Sequence, residues 1–281
     1  MILAMLINGK AIAEDLRAKL TLAVGQLGHS PTLAIVIVGE NPVVESFVSI
    51  KKKFGESIGV TILEFRFPST ISGETLRGEV ETLSLRNDIQ GVIIQLPLPD
   101  TVDVDTVLNA VPVTKDVDML SRESVALFRK GEASTFPPVA GAVQEILERN
   151  NVSVGGMEVL ILGYGRLVGV PVSILLRHNH AHVTVIDKPV SDLAVHVRES
   201  ALVIAGVGRS GLITPDMLSG EPILIDAGTS ESGGKIVGDI DPACALHARL
   251  MTPVPGGVGP IAVAMLFRNL ILLSSARHNP E

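Results

Sequence analysis

Positive charge is scarce in this 281-residue chain, whose 23 lysines and arginines are outnumbered by 30 aspartates and glutamates for a net charge of −7. Without a basic excess to follow a polyphosphate backbone, nucleic acid is excluded as an expected partner. Cysteine is almost missing as well. Cys244 stands alone, which rules out an internal disulfide and suits a reducing cytoplasm. No base lies near it in sequence, so it reads as a buried or inert thiol. The opening Met1-Ile-Leu-Ala-Met-Leu-Ile is too short for a signal peptide and lacks its basic flank; it reads as a first strand running into Asn8-Gly9. No apolar run reads as long enough to cross a bilayer, so no membrane partner is expected. Metal-ligand patterns are also wanting. His178-x-His180-x-His182 falls where a helix gives way to a strand, and Asp103-x-Asp105 and Asp239-x-Asp241 lack the glycine and distal glutamate of a calcium loop. No metal is expected.

What the chain has in quantity is hydrophobic residue, 46% of the total, and enough length for two domains. Short β-branched runs alternate with longer helical stretches, the pattern of α/β domains built on parallel sheets with helices on both faces. Strands are expected at 33–38, 61–65, 91–95, 158–162, 182–186, 201–205 and 222–226, and helices at 43–58, 72–87 and 168–178. The alternation breaks between Val113 and Pro138. Residues 1–120 then form an N-terminal α/β substrate domain, completed by a helix over 260–281. Residues 138–250 form a Rossmann-like, doubly wound second domain. A substrate cleft is expected between the two.

In the second domain, the strand ending at Leu162 runs into Gly163-Tyr164-Gly165-Arg166-Leu167-Val168-Gly169 and then a helix. Glycines in such a turn let a pyrophosphate approach the backbone, and the helix N-terminus favours its charge. This spacing is one residue longer than the usual fingerprint. Asp187, with Lys188 after it, ends the next strand, where an acid can accept the hydroxyls of an adenosine ribose. The turns carrying Gly208 and Thr229 end two further strands at the same sheet edge and are candidate walls for the nicotinamide end.

In the first domain, Phe47 and Lys51 stand four apart on one helix and face one way. A run such as Lys51-Lys52-Lys53 is ordinarily a solvated surface, but a lysine turned into an apolar cleft loses hydration and can exchange a proton near neutral pH. Gln95, ahead of Leu96-Pro97-Leu98-Pro99, can bond a heterocycle or Lys51, or merely cap a loop. Asp118 offers two acceptor oxygens to an amino-substituted ring, or lies in an acidic solvent-facing loop. Thr252-Pro253-Val254-Pro255-Gly256-Gly257-Val258-Gly259-Pro260 packs three prolines and three glycines into a stiff loop before an apolar helix. Such a loop presents bare backbone to a planar ligand.

The blocks Val38-Gly39-Glu40-Asn41-Pro42, Phe47-Val48-x-x-Lys51, Gly91 to Pro99, Lys115-Asp-Val-Asp118, Val168-Gly-x-Pro171 and Thr252 to Pro260 together resemble the bifunctional methylenetetrahydrofolate dehydrogenase/cyclohydrolase family. They follow the family's order over nearly the whole chain. The resemblance implies oxidation of 5,10-methylenetetrahydrofolate by NADP or NAD and hydrolysis of the methenyl product to 10-formyltetrahydrofolate, in a cytoplasmic homodimer that supplies formyl groups for purine synthesis. It assigns Lys51 to the proton transfers of hydrolysis, Gln95 to tuning it, and Asp118 to the pterin. Phe47, Leu96, Pro97 and the loop Pro255, Gly256, Gly257, Val258 become substrate contacts, the loop lying between folate and nicotinamide. Gly163, Tyr164, Gly165, Arg166, Asp187, Lys188, Gly208 and Thr229 become cofactor contacts, with Asp187 leaning the choice toward NAD.

Five positions depart from the family pattern. Phe47 replaces a tyrosine, Met119 the glycine after Asp118, Pro137-Pro138-Val139-Ala140 a Pro-Cys-Thr-Pro segment, Gly163-Tyr164-Gly165 a Gly-Arg-Ser turn, and Ala262 a threonine. Met119 is expected to add bulk near the pterin. Two alternatives follow: a dehydrogenase that has lost hydrolysis because Phe47 leaves Lys51 poorly oriented, and a catalytically silent folate-binding or partner-binding relative. Survival of Lys51, Gln95 and Asp118 together favours retained catalysis.

Overall fold

The computed structural model describes residues 5–232 and 235–278. In chain order it contains β1 (Met5–Leu6), α1 (Gly9–Gln26), β2 (Thr32–Val38), α2 (Pro42–Ser57), β3 (Thr61–Phe67), α3 (Gly73–Leu85), β4 (Gly91–Ile94), α4 (Val104–Leu108), α5 (Arg122–Lys130) and α6 (Pro138–Arg149). It continues through β5 (Glu158–Leu162), α7 (Gly169–His178), β6 (His182–Ile186), α8 (Leu193–Glu199), β7 (Leu202–Ala205), β8 (Ile223–Asp226), β9 (Ser230–Ser232), β10 (Lys235–Val237), β11 (Leu250–Met251) and α9 (Val258–His278). Each expected strand and helix is present, most within two residues of its expected ends. The first expected strand falls largely outside the described residues, which retain Met5–Leu6 of it. The sequence reading passed over α1, α4, α5, α6, α8, β11 and the β9–β10 hairpin.

Two compact units emerge from the contacts. Glu14–Pro138 with the chain from Val263 onward forms one, and the chain up to Ala13 with Val139–Ala262 forms the other. The sequence reading placed all of 1–120 in one domain; here the segment up to Ala13 groups with the second unit, because β1 pairs in parallel with β11.

The first unit holds a three-stranded parallel sheet in the order β3-β2-β4. From Leu33 to Ile37, β2 is completely shielded, since strands flank it on both sides and apolar side chains cover both faces. The second unit holds a six-stranded parallel sheet in the order β1-β11-β8-β7-β5-β6, with the β10-β9 ribbon as an antiparallel addition. In each sheet the first strand of a βαβ set lies between the next two, so the direction of winding reverses at β2/β4 and at β5/β7. Ligands of open parallel sheets gather outside the carboxyl ends of the strands at such reversals.

One sequence expectation needs correction. The 19 residues Val258–Ala276 of α9 are long and apolar enough to span a bilayer, with a mean hydropathy of 1.6. Most of that surface is spent inside the protein, however, with 61% of the window buried. Phe267, fully enclosed, stacks on Phe54 of α2 at 5.3 Å. The helix is apolar on all sides because it runs through a core.

Candidate active site

Helix register places Lys51. Along α2 the residues Val44, Val48 and Gly55 are buried, as is Ile58 just past its end. With Lys51 they recur at steps of three and four, a single inward stripe on which Lys51 alone is charged. Asn41 sets the start of that helix by accepting the Val43 and Val44 N–H groups at 2.9 and 3.3 Å, with Pro42 in the first turn. The lysine run then divides: Lys52 turns outward to Glu64 on β3 at 3.0 Å, and Lys53 is exposed.

The Lys51 ammonium donates to Gln95 Oε1 at 2.7 Å, while Gln95 Nε2 donates to the Leu96 carbonyl at 2.9 Å. The glutamine thus caps its loop and holds the lysine at once. It sits just beyond β4, its backbone N–H donating to Val36 of β2 at 2.9 Å, which puts it at the winding reversal of the small sheet. Burial lowers the pKa of Lys51, with negative Asp118 acting in the opposite sense. Burial likewise raises the pKa of Asp118, opposed by Lys51 and reinforced by Asp116. The structure therefore brings Lys51, Gln95 and Asp118 together. Phe47 is half-buried one turn before Lys51, and Leu96 and Pro97 follow Gln95 directly.

The two acids of Lys115-Asp116-Val117-Asp118 have different fates. The buried Asp116 carboxylate accepts the N–H groups of Leu120 and Ser121 at 3.2 and 2.8 Å. Asp118 makes no hydrogen bond to another described residue. Its acceptor oxygens are partly desolvated and unspent, which favours a donor. Met119 takes φ 57° and is buried, with its sulfur accepting the Thr135 hydroxyl at 2.8 Å. The expected bulk at this position is absorbed by the surrounding packing.

In the second unit, the cofactor candidates gather at the carboxyl edge of the large sheet. Gly163 leaves β5 at φ 86° in the β5/β7 reversal, where a Cβ would meet the Gly206 carbonyl at 2.7 Å. Gly169 starts α7 so close that its Cβ would lie 2.0 Å from the Gly163 carbonyl. Gly165 has open space around it, with no heavy atom within 4 Å of a Cβ position. Tyr164 and Arg166 are exposed in the same turn. Asp187 and Lys188 follow β6; Asp187 Oδ1 already accepts the Tyr164 N–H at 2.7 Å, which fixes the carboxylate while leaving Oδ2 for a ligand. Beside it an apolar slot is lined by Ile186, Pro189, Val190, Leu193, Val207 and Leu212, none of which carries a signal in local sequence pattern. Gly208 follows β7 at φ 78°, and Thr229 is exposed after β8. Pro255, Gly256, Gly257 and Val258 also belong to this unit, linking β11 to α9.

Two buried carboxylates missed by sequence reasoning hold this edge. Asp239, there set aside as a cation look-alike, accepts the N–H groups of Val207, Gly208 and Arg209 at 2.6, 3.1 and 2.7 Å. Asp226 accepts those of Gly228, Asp239 and Ile240 at 3.0, 3.2 and 2.8 Å. Burial pushes the Asp226 carboxyl up to about 6 despite these donors. Of the features set aside, His182 bonds Glu158 at 2.7 Å, and the buried Cys244 thiol is pushed up to about 12 by burial, which makes it inert at neutral pH.

Known proteins match along nearly the whole chain. Residues 7–118 match the catalytic domain, and residues 137–278 the NAD(P)-binding domain, of the tetrahydrofolate dehydrogenase/cyclohydrolase family. The bifunctional protein FolD of Heliobacterium modesticaldum is 36% identical over 273 residues, covering 95% of each chain. The crystal structure of the Trypanosoma brucei N5,N10-methylenetetrahydrofolate dehydrogenase-cyclohydrolase, complexed with NADP and an inhibitor, superposes with a TM-score of 0.95 at 31% identity, covering all of both chains. The Campylobacter jejuni bifunctional enzyme gives a TM-score of 0.94 at 30% identity, over 98% of this chain and 99% of that one.

Proposed function

Because the chain belongs to the tetrahydrofolate dehydrogenase/cyclohydrolase family, which oxidises 5,10-methylenetetrahydrofolate with a nicotinamide dinucleotide and hydrolyses the methenyl product to 10-formyltetrahydrofolate, we propose that Lys51, Gln95 and Asp118 carry the pterin side of both reactions. The observation that carries this assignment is the desolvated Lys51 ammonium, 2.7 Å from Gln95 Oε1, with the unspent Asp118 carboxylate nearby.

Asp118 accepts the N–H donors of the aminopyrimidine ring, and so fixes the ring in its plane. Lys51, its charge disfavoured by burial, exchanges a proton with the water that adds to the methenyl carbon and with the nitrogen released as the ring opens. Gln95 aims that amine without adding a charge that would hold its proton. Phe47, Leu96 and Pro97 supply apolar contact to the folate, as does the loop Pro255 to Val258. With Phe47 in place of the family's tyrosine no hydroxyl is present there, which leaves Gln95 as the group that orients Lys51.

The nicotinamide, when bound, accepts the hydride. Gly163, Gly165 and Arg166 receive the pyrophosphate, the apolar slot beside Asp187 receives the adenine, and Gly208 and Thr229 border the nicotinamide end. Asp187 favours NAD over NADP, since its carboxylate accepts ribose hydroxyls and repels a 2′-phosphate, with Lys188 and Arg166 as the countering charges. The enzyme works as a cytoplasmic homodimer that supplies formyl groups for purine synthesis.

Separate assays of the two half-reactions test the assignment. Lys51→Met abolishes methenyl hydrolysis, a loss of about 10²-fold or more, and reduces hydride transfer much less. Equal hydrolysis in mutant and parent removes Lys51 from the mechanism.

A further inference from the structure

We propose that Asn269 of α9 is a positioning residue for Asp118, acting with Thr135 to set the direction of the unspent carboxylate. The proposal rests on the reading that Asp118 receives the substrate ring.

An aspartate side chain has little reach, so its carboxylate points wherever the backbone beneath it is held. Most acids are steadied by hydrogen bonds to the carboxylate itself, as Asp116 is by Leu120 and Ser121. With no such bond to a described residue, Asp118 takes its direction from its flanks. Both flanks are tied. On one side, Asn269 Nδ2 donates to the carbonyl of Val117 at 2.9 Å, the carbonyl of the peptide bond that enters Asp118. On the other, Met119 Sδ accepts the Thr135 hydroxyl at 2.8 Å.

The two ties meet. The same Asn269 Nδ2 donates to the Phe136 carbonyl at 2.7 Å, and its Oδ1 accepts the Phe136 N–H at 3.3 Å, next in sequence to Thr135. Asn269 is 1% exposed and lies on an otherwise apolar stretch of α9, Met265 to Leu273, broken elsewhere by Arg268 alone, which points outward. A primary amide enclosed there is costly unless its bonds are made, and all of them are made to backbone around Asp118 and Phe136. The backbone at Met119 stands in the left-handed region, which costs a non-glycine residue about 1 kcal/mol and persists only where neighbours over-determine it. Asn269 and Thr135 stand among those neighbours, beside Asp116, whose backbone carbonyl accepts the Met119 N–H at 3.3 Å and whose carboxylate accepts those of Leu120 and Ser121.

Steady-state kinetics of the full-length enzyme test this with Thr135→Val, Thr135→Ser, Asn269→Ser and Asp118→Asn. Thr135→Val keeps shape and removes the hydroxyl; Thr135→Ser restores it. The expected result is a KM for methylenetetrahydrofolate raised about 3- to 10-fold in Thr135→Val and Asn269→Ser, as slight misplacement of a positioning group produces. The KM for the dinucleotide stays at the parent value, and Thr135→Ser returns the folate KM to normal. An unchanged folate KM in Thr135→Val overturns the proposal, as does a fall in kcat with both KM values moving together, which general loosening would give. Should Asn269→Ser fail to fold, the Thr135 pair still decides. Asp118→Asn separates the two levels. A raised folate KM there, with none in Thr135→Val, overturns the positioning role and spares the reading of Asp118. An unchanged folate KM in Asp118→Asn overturns both.

Discussion

Asp239 is fully buried and Asp118 half-buried, yet the first accepts three backbone N–H groups and the second none from any described residue. The same contrast runs through the two units. At the edge of the large sheet, Asp226 and Asp239 spend their oxygens on six amides, three each, and convert buried charge into fixed turns. At the edge of the small sheet, Lys51 has one neutral partner in Gln95, and Asp118, with no hydrogen bond to a described residue, feels the opposed fields of nearby Lys51 and Asp116. A carboxylate saturated by donors is structural and chemically quiet, whereas one left desolvated and unpaired is poised for a ligand. The NAD(P)-binding unit is thus organised by satisfied charge that shapes backbone, and the catalytic unit by charge left unspent.

The sharpest way to break this comparison is to remove one acid from each side. Asp239→Ala strips the acceptor from three amides and costs about 3 kcal/mol, a drop in thermal midpoint of several degrees. The dinucleotide KM rises with it as the Gly208 turn loosens. Asp118→Ala changes stability by no more than about 1 kcal/mol in either direction, because no hydrogen bond is lost and a desolvated charge is removed. Thermal melts of the two variants side by side check this. If both fall equally, satisfied and unsatisfied acids do not differ as argued.

A second prediction sharpens the pterin side through charge. Gln95→Glu places a carboxylate where a neutral oxygen now lies 2.7 Å from the Lys51 ammonium. The parent pKa is lowered by burial, so the neutral amine is reached at lower pH than in an ordinary lysine. An adjacent anion favours the charged form and raises the pKa. Hydrolysis that needs the neutral amine then declines near neutrality, and the rising limb of its pH profile moves to higher pH. Hydride transfer, measured in parallel, keeps its profile. A limb that stays in place would show that Lys51 does not set it.

How far this contrast was legible in the sequence depends on distance along the chain. The parallel sheets were legible because β-branched runs such as Leu33–Val38 and Glu158–Leu162 leave a local imprint. The Gly163 turn was legible because strand, glycines and helix are contiguous. Lys51 stood out through its resemblance to a family, and a signal in the residues themselves went unused: Val44, Val48, Gly55 and Ile58 place it on the buried stripe. What local pattern could not give were partnerships over long separations. Asp239 meets Val207 to Arg209, and Asn269 meets Val117 and Phe136, only after the chain has folded. Asp239 accordingly passed for a cation-ligand look-alike. A lone Asn on an apolar helix face was the one available hint of the second partnership. The apolar length of α9 was overlooked rather than misread: the helix is long and apolar enough to span a bilayer, and composition does not distinguish a core helix from such a span, whereas burial does.

The smallest effect separates glycines that shape the nucleotide turn from the one that leaves it open. Gly163 is committed by φ 86° and by the Gly206 carbonyl, so a side chain there is strained whatever binds. Gly165 has neither constraint, since no heavy atom lies within 4 Å of its Cβ position and its φ is not in the left-handed region. Gly165→Ala therefore leaves folding stability within about 0.5 kcal/mol of the parent, or raises it slightly by narrowing the unfolded ensemble. If the space above Gly165 is where the pyrophosphate rests, the added methyl raises the dinucleotide KM by about 3-fold or more and leaves the folate KM untouched. An unaltered dinucleotide KM would make Gly165 a spare glycine and move the phosphate path toward Arg166. A folate KM that rises in step would show that the turn serves both ligands, and the division between the two regions would lose its force.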